Sequence, residues 1–110
     1  MAFEIILAPQ AVAALKALPV PIRTGVKEAI RRHLTHEPTK VSKSRIKRLR
    51  GLSQPQYRLR VDDIRVFYDV TETAVEVLAI VTKAEAQAWL DQAGTREEGT
   101  ARGRSGSGEG

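Results

Sequence analysis

Residues 57–70 read Tyr57-Arg58-Leu59-Arg60-Val61-Asp62-Asp63-Ile64-Arg65-Val66-Phe67-Tyr68-Asp69-Val70, and two strands are legible in them. Tyr57, Leu59 and Val61 alternate with Arg58 and Arg60. Ile64, Val66, Tyr68 and Val70 alternate with Arg65, Phe67 and Asp69. A period of two is that of a half-buried strand. Asp62-Asp63 falls between the runs as a two-residue hairpin turn, since Asp tolerates left-handed backbone angles. This register sets Val61 opposite Ile64 and Arg60 opposite Arg65, with Arg58 on the same face across from Phe67. Tyr57, Leu59, Val61, Ile64, Val66 and Tyr68 make the other face, a core face. Like charges directly opposite one another destabilise a sheet. An anion between Arg60 and Arg65 relieves that cost, and a guanidinium fork suits two phosphate oxygens. The competing arrangement pairs Arg58 and Arg60 with Glu76, Asp69 or Asp62 as a solvated sheet face.

Upstream of the hairpin, Phe3 to Leu7 is β-branched and apolar and reads as a strand ending before Pro9. Ala11, Val12, Ala14, Leu15 and Leu18 then follow helical spacing, and Pro19 ends that helix. Pro21 suits the first residue of a second helix, along which Ile22, Val26, Ile30 and Leu34 recur every fourth residue until Pro38 closes it. The short link implies an antiparallel helical hairpin. His33 and His36 lie at its end, where the helix dipole favours cations. Residues 39–56 lack apolar periodicity and read as a basic loop, with Ile46 and Leu49 or Leu52 dipping into the core and Ile46 to Leu49 a candidate short strand. Downstream, Ala74 to Val81 is a near-continuous apolar run suited to a central strand. A last helix runs from Lys83 to about Gln92 with Ala84 and Ala88, and Trp89 or Leu90, on its buried side. From Gly94 the chain is rich in Gly, Ser, Arg and Glu with almost no apolar residues, which predicts a disordered tail over 94–110. The order β-α-α-β-β-β-α predicts an α+β domain over residues 1–93: a twisted, mainly antiparallel sheet with the helical hairpin on one face.

Charge is concentrated. The 110 residues carry 18 Lys+Arg and 13 Asp+Glu, a formal net charge of +5. Residues 40–65 hold nine of the basic residues and only two of the acids, so this quarter carries more positive charge than the whole chain. Such a field points to a polyanion, most often nucleic acid. Arg45, Lys47, Arg48 and Arg50, together with Arg58, are the candidate contacts to a nucleic-acid backbone. The chain has no cysteine, which removes disulfides, thiol nucleophiles and cysteine-based zinc sites. Two histidines and scattered acids show no metal-ligand spacing. No apolar run is long enough to span a bilayer, and the N-terminus lacks a signal-peptide pattern, so no membrane partner and a cytoplasmic location are expected.

The helical hairpin, the basic link and the stretch from Tyr57 to Val70 together resemble the RelE/ParE superfamily of bacterial type II toxins. The segment Glu37-Pro38-Thr39 and the run Ser44-Arg45-Ile46-Lys47-Arg48-Leu49 resemble the link of RelE-like members. The resemblance spans about residues 3–90. It implies a toxin that cleaves messenger RNA in the ribosomal decoding site without a metal or other cofactor, with the ribosome, mRNA and a cognate antitoxin protein as partners. RNA brings its own nucleophile, the 2′-hydroxyl; the protein orients it, stabilises the charged phosphorane and moves protons. The resemblance assigns Arg60, Arg65 and Lys83 to catalysis and Arg58 to backbone positioning. Family members carry lysines where Arg58 and Arg60 stand, and arginine is a poor general base. This leaves Lys83 as the expected lysine on that face for proton transfer. Members also often carry a tyrosine in the last helix, where this chain reads Glu85-Ala86-Gln87-Ala88-Trp89-Leu90. Two alternatives therefore stand beside the ribonuclease: a non-enzymatic toxin that inhibits DNA gyrase, and a catalytically weakened homologue that only binds its antitoxin.

Overall fold

In the computed structural model, which describes residues 2–97, the N-terminal strand β1 spans Glu4–Leu7 and alternates exposed with half-buried residues. Pro9 opens helix α1 (Pro9–Ala17), a position where its missing N–H costs no hydrogen bond. Helix α2 (Val20–Leu34) follows after a two-residue break, again with proline in its first turn. Arg23 fastens the two: its Nη2 donates to the carbonyls of Lys16 and Leu18, both at 3.1 Å, satisfying acceptors that the end of α1 leaves open. Val26, Ile30 and Leu34 are buried as their spacing predicts. Ile22, assigned to the same stripe, lies beyond the sheet's cover and is 46% exposed.

The remaining elements are β2 (Ile46–Arg48), β3 (Leu52–Gln54), β4 (Tyr57–Val61), β5 (Ile64–Val70), β6 (Ala74–Thr82), α3 (Lys83–Ala93) and β7 (Thr95–Arg96). Five strands form one sheet in the order β1-β6-β5-β4-β2. All neighbours are antiparallel except β1 and β6, which pair in parallel although the helical hairpin and β2 to β5 separate them in the chain. The α+β class and the mainly antiparallel sheet agree with the sequence reading. The core lies between α1–α2 and one sheet face, where Ala11, Val26, Ile30 and Leu34 meet Ile46, Leu59, Ile64, Val66, Tyr68, Val75, Val77 and Ile80.

The apolar run of β6 hides an irregularity. Phe67 pairs with Ala79 and Tyr68 with Val77, so Leu78 is an extra residue. This bulge switches which face each later residue of β6 presents. It lets Val77 and Ile80 both reach the core, and Gln10 of α1 donates its Nε2 to the Leu78 carbonyl at 2.8 Å.

Tyr68 anchors the segment after α2. Its ring stacks on Tyr57 with centroids 5.5 Å apart, and its buried hydroxyl donates to the Pro38 carbonyl at 2.6 Å. Burial, with the neighbouring Tyr57, pushes the phenol well above its ordinary range, so the O–H stays a donor. Tyr68→Phe strands that carbonyl and is expected to cost about 1–2 kcal/mol, read from the urea midpoint.

Two expectations need correction. Within residues 39–56, read mainly as a basic loop, the candidate strand at Ile46–Leu49 is present as β2, an edge strand of the main sheet, while β3 was not anticipated; it pairs antiparallel with β7, with Gly51 at φ 78° in the turn that leads into it. Helix α3 does not bury Ala84 or Ala88, which are exposed; Ala86, Trp89 and Leu90 are its half-buried residues. The reason is that α3 lies on the sheet face away from the core, where Trp89 stacks on Phe67 at 5.1 Å and 7°. Of the expected disordered tail, Thr95–Arg96 pairs with β3, Glu97 N–H donates to the Gly51 carbonyl at 3.1 Å, and residues 98–110 lie outside the described residues.

Candidate nucleic-acid interface

The β4–β5 hairpin places its arginines as the alternation requires. Arg60 pairs with Arg65, Arg58 with Phe67 and Val61 with Ile64. Asp62 takes the left-handed conformation at φ 51°, the one non-glycine residue with positive φ among the described residues. The core takes Leu59, Val66 and Tyr68, so Arg58, Arg60, Arg65 and Phe67 share the opposite face. Because β2 pairs with β4, Lys47 stands directly opposite Arg58 on this same face. The expectation of Lys83 as the sole lysine there is thus corrected; it followed from taking residue 47 as part of a loop. Helix α3 walls the face on its β6 side, and β2 borders it on the other.

Among the described residues the three guanidinium groups have no carboxylate partners. Among the described residues the ion pairs are Arg31–Glu28 at 2.7 Å and Lys40–Glu37 at 3.7 Å, both exposed and on or just after α2. Arg65 is only 8% exposed, and its Nη1 donates to the backbone carbonyls of Asp62 at 2.8 Å and Ile64 at 3.1 Å. Those bonds fix the guanidinium without neutralising it. Arg58 is half-buried, and its Nε is buried with no hydrogen-bond partner. Burial, then the charges of Arg65 and Arg60, lower its pKa from the ordinary arginine value. Arg60 is exposed at the centre of this group. A charge cluster that is desolvated, mutually repelling and unpaired is a site where an anion gains more than it does at a solvated surface.

The nearest buried acid is committed elsewhere. Asp69 Oδ1 accepts from Gln56 N–H and Oδ2 from Gln54 Nε2, both at 2.7 Å, while Gln56 Oε1 accepts from Val70 N–H at 2.9 Å. Sequence reasoning missed this clamp, which ties the turn between β3 and β4 to β5. Two glutamines flanking Pro55 ahead of an aspartate on the arginine side of β5 were the available signal.

Other candidates divide between this face and elsewhere. Lys83 opens α3 beside the hairpin tip, where its N–H donates to the Asp63 carbonyl at 2.8 Å. A cation at a helix N-terminus opposes the dipole, so capping does not explain it; the capping is done by Thr82 and Glu85. Arg45 lies against the edge of the face: its carbonyl accepts from Arg60 N–H at 2.8 Å, and with Ser44, Arg60 and Asp62 it lines a recess of about 360 Å³. Arg48 turns away, donating Nη1 to the carbonyls of Leu49 at 2.8 Å and Gln56 at 2.9 Å and lying 5.3 Å from the Tyr57 ring centroid. Arg50 is exposed near the far end of α3, lining a recess with Gln87, Asp91 and Arg96. No helix among the described residues is long and apolar enough to cross a membrane.

Solved structures share this architecture. The chain is 28% identical to a chain of the archaeal RelE–RelB complex from Pyrococcus horikoshii, with a TM-score of 0.62 over 76% of this chain and 97% of that one. A free-state mutant of Escherichia coli toxin RelE gives 22% identity and a TM-score of 0.63, over 84% of this chain and 95% of that one. The toxin–antitoxin complex RelBE2 from Mycobacterium tuberculosis gives 24% and 0.60, over 74% and 99%. No curated protein matches the chain. The model of the family described as "ParE toxin of type II toxin-antitoxin system, parDE" matches residues 5–87, which spans the hairpin, its arginines and the start of α3. The chain therefore belongs to the ParE toxin family of type II toxin–antitoxin systems, within the RelE/ParE superfamily.

Proposed function

We propose that this toxin cleaves messenger RNA on the ribosome, using the RNA 2′-hydroxyl as nucleophile and no metal or other cofactor of its own. The observation that carries the reading is the trio Arg58, Arg60 and Arg65 on one sheet face with no carboxylate within ion-pair distance among the described residues. In the reaction the 2′-oxygen bonds to the adjacent phosphorus and the bond to the 5′-oxygen breaks, leaving a cyclic phosphate. Arg60 and Arg65 hold the non-bridging oxygens as negative charge builds on them. Arg58 and Lys47 fix the strand through the flanking backbone. Lys83 donates a proton to the leaving 5′-oxygen, a role arginine fills poorly, and the proton lost by the attacking 2′-hydroxyl passes to solvent water, which also reprotonates Lys83. Arg45 supplies electrostatic approach at the edge, and Arg50 does so from the far end of α3. An antitoxin protein is the proposed partner, as in the RelE–RelB complexes with the same fold, and an acidic or amphipathic one complements this charge.

Adding the purified chain to a translation extract tests this: translated transcripts are expected to shorten within the coding region while untranslated ones stay intact. A second reading draws on the family match and on arginines where catalytic lysines stand in active relatives: a toxin that inhibits DNA gyrase. Blocked supercoiling by purified gyrase, with every transcript intact, selects that reading and overturns the ribonuclease.

A further inference from the structure

At the end of α2 a second basic recess, about 280 Å³ in volume, is lined by Arg32, His33, His36, Lys40, Ser42 and Arg45. Its cations come from two separate pieces of chain. The helix dipole accounts for Arg32 and His33 in the last turn of α2. It does not account for Arg45, which the strand-leading segment brings against them. Ser42 holds that segment in shape, its Oγ accepting from the N–H groups of Arg45 and Ile46, both at 3.1 Å. Glu37 is the one acid lining the recess, and it pairs with Lys40 at 3.7 Å. Arg32, His33, His36 and Arg45 have no acidic partner among the described residues.

Repulsion inside the recess is visible in His33. Burial holds its imidazole below the ordinary value, and the charges of Arg45 and Arg32 lower it further. Arg45 also lines the recess it shares with Arg60, so the two basic hollows meet at one side chain across the edge of the sheet.

We propose that the recess formed by Arg32, His33 and Arg45 is a second phosphate site, which holds the RNA backbone after it leaves the arginine face and crosses the edge strand β2. The inference rests on the nucleic-acid reading of that face. Phosphate binding favours the protonated imidazole, so binding takes up a proton and tightens as pH falls through the lowered titration range of His33. The charged groups facing His33 in the recess are Arg32, His36, Glu37 and Lys40 from α2 and the turn after it, and Arg45 from the segment before β2.

The test uses the full chain with 2′-O-methyl RNA, which cannot be cleaved through its 2′-position. For an oligonucleotide of about 12 nucleotides, Arg32→Gln with His33→Gln is expected to weaken binding about tenfold at physiological salt at pH 6 and to reduce the log–log salt slope by about 0.7, one phosphate's share on a single strand. An oligonucleotide of about four nucleotides, confined to the arginine face, is expected to bind the variant as it binds the wild type. Independently, inorganic phosphate is expected to raise the titration midpoint of the His33 ring proton in NMR spectra of the wild type. Unchanged 12-nucleotide affinity in a folded variant, or a His33 titration indifferent to phosphate, overturns the second site. Intact transcripts in the translation extract, with both responses retained, remove the ribonuclease reading and leave this site standing.

Discussion

Replacing Arg60 and Arg65 together by glutamine is expected to reduce transcript cleavage by about 10³-fold or more, because each arginine faces the charge that develops on the phosphate. Growth arrest on induction is expected to disappear with it. The effect on stability has the other sign for the exposed partner. Arg60 stands directly across from Arg65 with no acid between them, so Arg60→Gln alone removes a repulsion of about 0.2–1 kcal/mol. Its melting temperature is expected to hold or rise by a few degrees while activity falls. A residue kept for structure behaves the opposite way, losing stability first. Arg65 is the harder case, since its Nη1 bonds to the turn carbonyls of Asp62 and Ile64 are lost too. A circular dichroism melt of each single variant separates the two contributions.

Asp69→Ala is expected to destabilise the sheet as much as truncating a buried core side chain. It deletes a buried carboxylate that accepts two 2.7 Å hydrogen bonds and strands the Gln56 N–H and the Gln54 amide. Hydrogen bonds to a charged group contribute about 1.5–3 kcal/mol each, so a loss of about 3–5 kcal/mol follows. For a domain of this size that lowers the melting temperature by on the order of 15 °C or more. Asp69→Asn keeps one acceptor oxygen and is expected to lose about half as much. Urea midpoints for the two variants check both the size and the order.

Much of the fold was legible because residues 57–70 obey a period of two without exception. The hairpin register, the Arg60–Arg65 pair and the core face of Leu59, Ile64, Val66 and Tyr68 all follow from it. The stripe of Val26, Ile30 and Leu34 was legible for the same reason at the helical period. What escaped reading lacks a local signal. Ile46 to Leu49 read as a candidate short strand, but three or four positions do not show which strand they join, and the pairing of β2 with β4 depends on residues 57–59. Lys47 therefore went unnoticed as a member of the arginine face. On α3 the reading of Trp89 or Leu90 as inward holds and that of Ala84 and Ala88 fails, because the aromatic stack of Trp89 on Phe67, not the alanine spacing, decides the packing. The burial of Arg65 is likewise invisible in sequence, where arginine reads as exposed. His33 read as a helix-end cation, and only the approach of Arg45 in three dimensions gives it a second context.

Primer-extension mapping of transcript ends, with ribosomes present and absent and with wild type beside R60Q/R65Q, tests the central claim most directly. New ends within coding sequence are expected for the wild type only when ribosomes are present, and for the variant in neither case. Wild-type transcripts without new ends, or the same ends from the double variant, contradict a phosphate held between those arginines.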